Sequence, residues 1–215
     1  MARVGELIVA AIKDAWASFL ELTIWNLLWF VGVLLVVTAP AAMVGLSYAT
    51  HQLGRGEGVS WRTFFVGARQ FAWLGYKWGL LNLAVIGVAI VNAQFYAQVA
   101  GEWASGLQGI LLGLYILWLL LQLYVLPVAF QQQRPSLRLA LRNSAVIWLR
   151  NVGASLGLII ILALLVVVTS LFLQPAWAIL TMSLYCYLVS YVMLALIDWK
   201  RPEELEAEAE PKKPW

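Results

Sequence analysis

The chain has 215 residues, 63% of them hydrophobic and 12% charged, with a net charge of +3. Soluble domains carry about 25% charged residues, so this chain lacks the charge to cover a water-facing surface, and its apolar residues fall in the long blocks that a bilayer accepts. The basic residues flank those blocks rather than mark one soluble face, which argues against a nucleic-acid partner.

The first segment, Val4 to Trp16, is amphipathic. Val4, Leu7, Ile8, Ala11 and Ala15 share one face, and Glu6, Lys13 and Asp14 lie opposite. Those charges interrupt the apolar core that a cleavable signal peptide needs. The segment is expected to lie flat on the outer surface. The first span is expected at about 22–49, roughly 28 residues or ~42 Å of helix against a bilayer core of about 30 Å. Such a stretch must tilt or bend, and Pro40 is the candidate hinge because it removes a backbone donor and clashes with the turn before it. Further spans are expected at about 74–93, 107–130, 152–173 and 177–197. Pro127 is the second hinge candidate. Residues 199–215 form a charged tail.

Basic residues in short loops stay on the cytoplasmic side. Arg55, Arg62, Arg69 and Lys77 lie in the first connection, Arg134, Arg138, Arg142 and Arg150 in the third, and Lys200, Arg201, Lys212 and Lys213 in the tail. The second and fourth connections hold none. Five spans with the tail inside therefore place twelve of the 14 basic residues in the cytoplasm and the N-terminus outside. The competing count is six spans, with Val4 to Ser18 crossing.

Two connections are themselves helical. Ser60 is an N-cap candidate for a helix over Trp61 to Phe71, where Phe64, Phe65, Ala68 and Phe71 share a face. A second helix, Ser136 to Arg150, continues the four-residue repeat of Arg134, Arg138 and Arg142 beside a stripe of Leu137, Leu141, Ala145 and Trp148. Both read as interfacial helices, with Arg62, Arg69, Arg134, Arg138 and Arg142 directed at anionic inner-leaflet lipid. The order span, basic helix, span occurs twice. It reads either as a parallel internal repeat or as the common look of two hairpins with basic loops. Three small-xxx-small pairs, Gly75/Gly79, Gly109/Gly113 and Gly153/Gly157, allow close helix packing, within the chain or with a partner.

No residues converge on catalysis or metal binding. One His and one Cys, His51 and Cys186, lie far apart, short of the ligand cluster that zinc requires. No glycine fingerprint for nucleotides occurs, and no serine has a His-carboxylate pair to activate it. The expectation is a non-enzyme without cofactors. The polar residues inside spans are Asn26, Asn82, Asn92, Gln122, Ser183, Tyr185, Ser190 and Tyr191. They read as interhelical hydrogen-bonding groups or as the lining of a polar passage or ligand pocket.

Asn26-Leu27-Leu28-Trp29, Thr38-Ala39-Pro40-Ala41-Ala42 and Arg55-Gly56-Glu57 precede Thr63-Phe64-Phe65. Leu126-Pro127-Val128 and Leu141-Arg142-Asn143-Ser144-Ala145 follow. In order and spacing these resemble the YesL family of bacterial integral membrane proteins, a domain of unknown function, from about Thr23 to Asp198. The tail is longer and more acidic than that pattern. The resemblance implies a bacterial cytoplasmic membrane location and an accessory role beside carbohydrate uptake systems; it supplies no site residues. The functional expectation is an accessory or scaffold subunit of a larger membrane complex, with a membrane-protein partner or a homo-oligomer. The alternative is a small-solute transporter or channel in its own right.

Overall fold

A computed structural model describes residues 2–99, 101–172, 175 and 177–197. They form α1 (Ala2–Ala17), α2 (Phe19–Leu34), α3 (Ala39–Gly54), α4 (Trp61–Gln70), α5 (Ala72–Gln98), α6 (Glu102–Phe130), α7 (Leu137–Arg150), α8 (Val152–Leu171), a π-helical turn at Trp177–Thr181 and α9 (Met182–Leu196). There is no strand among the described residues. The chain is an all-α membrane protein. Four helices are long and apolar enough to cross a bilayer: Ala72–Gln98, Trp103–Phe130, Val152–Leu171 and Ile179–Leu196. A fifth span results only if Val9–Ala17 and Phe19–Leu34, bent by 83°, count as one. The charged tail at 199–215 lies outside the described residues.

The expected first span over 22–49 is not one helix. α2 ends at Leu34, and α3 begins at Ala39 with Pro40 in its first turn. Proline fits there because its missing N–H would be unpaired anyway. Pro40 therefore starts a helix rather than hinging one. Between them Val36 takes φ 52°, a left-handed conformation costly for a β-branched residue. The chain then folds back. A Cβ on Gly32 would lie 2.6 Å from the Ala42 Cβ, so the two helices touch through small residues. The Thr38 hydroxyl donates to the Gly32 carbonyl at 2.6 Å. The Trp25 indole, near the start of α2, donates to the Ser60 carbonyl beyond the end of α3 at 3.1 Å. α2 and α3 thus form a helical hairpin, and its tip, Leu34 to Val37, is apolar and exposed. The physical reason is length: ~42 Å of apolar helix exceeds one crossing, and a left-handed turn followed by proline reverses it.

α3 is the core of the molecule. Val44, Leu46 and Ala49 are fully buried, and α2, α4, α5, α6 and α9 all pack on it. α4 lies on α3 rather than on bare lipid. A Cβ on Gly67 would meet the Tyr48 Cβ at 2.5 Å, and one on Gly45 would meet the Phe64 carbonyl at 2.8 Å. Phe64, Gly67 and Phe71 form the buried side of this connection, while Phe65 is exposed. α5 follows. At Gly75 a Cβ would lie 2.7 Å from the Pro40 carbonyl, and at Gly79 it would lie 3.3 Å from the proline ring. This glycine pair packs α5 on α3 as its spacing predicts. A Cβ at Gly109, Gly113 or Gly153 would meet nothing within 4 Å among the described residues. Gly157 is half-buried on α8.

α5 and α6 form an antiparallel pair joined by side chains. Trp78 donates to Gln122 Oε1 at 2.8 Å, Trp118 to Asn82 Oδ1 at 3.0 Å, and Asn92 to the Tyr115 hydroxyl at 2.7 Å. α7 packs back on α6 and buries Ala140 and Ser144. Thus α3–α4–α5 and α6–α7–α8 share one plan, a helix with a short basic helix folded onto it and then a span. α6 continues only three residues past Pro127.

Candidate functional site

The polar residues of the spans divide into three groups. The first joins α2 to the last helix. Asn26, fully buried, donates to the Trp177 carbonyl at 2.8 Å and accepts the Ser183 N–H at 2.8 Å. Nearby, the buried Tyr187 hydroxyl donates to Asp14 on α1 at 2.6 Å. The amphipathic pattern puts Asp14 on the polar side of α1, whereas the structure ties it to α9. Ala11 and Ala15 are buried as the amphipathic pattern predicts.

The second group surrounds a cavity of about 310 Å³ between α3, α5, α6 and α9. Ser47, Trp78, Gln122, Pro127, Tyr185, Cys186 and Ser190 line it, with Met43, Leu126, Met182 and Val189 among its apolar walls. Gln122 Oε1 accepts from Trp78 at 2.8 Å and from Asn82 at 3.4 Å. Its Nε2 is buried without a partner among the described residues, as is the hydroxyl of fully buried Ser190. The Ser47 hydroxyl sits 3.7 Å from Cys186 Sγ. Pro127 supplies no N–H for the carbonyl of Leu123, and both residues line the cavity. Sequence alone singled out Gln122, Tyr185, Ser190 and Pro127 separately; the fold brings them to one place. No histidine or carboxylate lines the cavity among the described residues, so its serines and cysteine have no base to activate them. The arrangement can bind but lacks the parts of a nucleophilic site.

The third group lies in the halves of α5 and α6 nearest their connecting turn. A groove of about 570 Å³ there is walled by residues such as Ile86, Ile90, Leu112 and Gly109, with Asn92, Gln108 and Tyr115 inside it.

At the other end of the bundle, His51 closes α3. It is fully buried, and the Gln131 amide nitrogen lies 3.1 Å from its Nε2. An amide nitrogen only donates, so the ring accepts and is neutral. Burial, aided by Arg55, pushes its pKa down to about 3. Arg62, Arg69, Arg134, Arg138 and Arg142 are all exposed. Compared with models of protein families, with curated proteins and with solved structures, the chain matches none.

Proposed function

We propose that this chain is a non-enzymatic accessory or scaffold subunit of a larger membrane complex, of the kind its resemblance to the YesL family implies beside carbohydrate uptake. One observation carries this reading. A Cβ added at Gly106, Gly109 or Gly113 on α6 or at Gly87 on α5 would meet nothing within 4 Å among the described residues, next to a groove holding Asn92, Gln108 and Tyr115. Small residues and amides on a lipid-facing surface suit a second transmembrane helix, which gains close contact and hydrogen bonds that lipid tails do not offer. The occupant in this reading is a helix of a partner membrane protein. Photo-crosslinkers at positions 109 and 113 in native membranes test it. A stoichiometric adduct with one other membrane protein is expected from both positions and not from position 153. Adducts with lipid alone would overturn the reading, and adducts with a second copy of the chain would replace the partner by a homo-oligomer. The second reading, a transporter for small solutes, draws on the cavity at Pro127 and requires solute movement by the purified chain in liposomes.

We infer four spans, α5, α6, α8 and α9, with the α2–α3 hairpin entering the inner leaflet and leaving by the same face. This reading puts both ends of the chain in the cytoplasm. Its support is electrostatic: the α5–α6 and α8–α9 turns hold no Lys or Arg, so all 14 basic residues fall on one side. The five-span arrangement leaves Arg3 and Lys13 on the wrong side. α1 then lies on the inner surface, and the exposed arginines of α4 and α7 meet anionic inner-leaflet lipid.

A further inference from the structure

We propose that the cavity between α3, α6 and α9 binds a neutral, lipid-soluble molecule carrying a carbonyl or hydroxyl oxygen, held by the Gln122 amide and the Ser190 hydroxyl. The orientation of the amide is fixed. The Trp78 indole N–H can only donate, and it donates to Gln122 Oε1 at 2.8 Å. Gln122 therefore keeps its NH₂ for another acceptor, and it is buried without one. Ser190 is fully buried and equally unpartnered on the facing helix. Buried polar groups in proteins are almost always paired, so two orphans on residues that line one cavity are groups that a ligand oxygen pairs once the side chains turn toward it.

The rest of the wall defines the rest of the ligand. Met43, Leu126, Met182 and Val189 are apolar, and no charged side chain lines the cavity among the described residues. A charged ligand has nothing to offset its desolvation there. A sugar would leave most of its hydroxyls unpaired against these walls. A volume of about 310 Å³ is at the small end of ligand sites and takes one or two rings or a short chain. The cavity lies among helices that cross the membrane, so the ligand partitions in from lipid. This inference stands independently of the docking surface on α5 and α6.

The test uses the full chain in phospholipid nanodiscs with benzophenone, a neutral diaryl ketone that inserts into nearby C–H bonds when illuminated. Peptide mapping is expected to find saturable insertion at Met43, Met182 or Leu126. Undecan-2-one should compete, and undecane, of similar length but without the oxygen, should not. Ser190→Leu, which fills the cavity, should reduce insertion at these residues at least tenfold, and Ser190→Ala, which keeps the shape, at least threefold. Insertion confined to lipid-facing residues of α5, α6 and α8 would overturn the proposal, and so would equal competition by undecane. Should Ser190→Leu fail to fold, unchanged insertion in Ser190→Ala has the same consequence. A cavity holding only water gives no insertion at Met43, Met182 or Leu126, which also counts against it.

Discussion

The side-chain amide of Asn26 bonds the backbone of the last helix at two points, accepting the Ser183 N–H and donating to the Trp177 carbonyl, each at 2.8 Å. These backbone groups are six residues apart, one on the first residue of the π-helical turn Trp177–Thr181 and the other just beyond its end. A shift in the helical ladder leaves groups to be satisfied from outside, and α2 supplies one amide that serves both polarities. The same contact fixes α2 against α9 and so holds one arm of the α2–α3 hairpin in place.

Asn26→Leu should therefore destabilise the protein by about 3 kcal/mol, since it leaves a buried donor and acceptor unpaired. Unfolding in detergent, followed by circular dichroism, measures it. A loss below about 0.5 kcal/mol would mean that water or a shifted backbone replaces the amide.

The glycines separate folding from assembly. Gly75→Val drives a side chain into the Pro40 carbonyl, 2.7 Å from the Cβ position, and overpacking of this kind costs about 1–3 kcal/mol. Gly113→Val projects into open space and should leave the unfolding temperature of the purified chain unchanged, while cutting recovery of the partner from native membranes. Equal thermal effects from the two variants would contradict the packing described for α3 and α5.

His51 makes stability depend on pH. Its folded pKa is lowered to about 3, against about 6.5 in an unfolded chain. Between these values the unfolded state binds a proton that the folded state does not. Stability is thus fully present above about pH 6.5 and falls as pH drops, by up to about 1.4 kcal/mol per unit. His51→Gln should flatten that slope between pH 7 and 5. A variant as acid-sensitive as the parent would assign the effect to other groups.

Arg138 and Arg142 are exposed on α7, whose other side buries Ala140 and Ser144 on α6. Replacing both with Glu should weaken binding to vesicles rich in anionic lipid by about 1 kcal/mol per residue. Protease sensitivity of α7 should stay near that of the parent, because protein contacts hold the helix down. Full release of α7 to protease would show that lipid alone holds it.

Much of this fold was legible in the sequence. Unbroken apolar runs located α5, α6, α8 and the last helix, because a bilayer leaves little choice of residue along a span. The basic connections Trp61–Gln70 and Leu137–Arg150 were legible as helices from their periodicity. The α2–α3 hairpin was not. Leu34 to Val37 is apolar like the residues around it, and hydropathy does not distinguish a chain that crosses lipid from one that turns inside it. The signals were small: Gly32 and Ala42, which permit contact, and Pro40, which suits the start of a helix as well as a bend. For the cavity, sequence supplied Gln122, Tyr185, Ser190 and Pro127 but no pairing. Which amides face one another depends on helix rotation, and spans that are apolar all round leave rotation unmarked. Asp14 and Tyr187, 173 positions apart, had no local pattern to connect them.

The central claim is that residues 22–49 enter the membrane and return. Single cysteines at positions 2, 102 and 209, placed in a Cys186→Ala background, test it with an impermeant thiol reagent applied to right-side-out and inside-out vesicles. The account predicts that positions 2 and 209 react only from the cytoplasmic face and position 102 only from the opposite face. If position 2 instead reacts from the same face as position 102, the stretch crosses the bilayer and the hairpin is wrong.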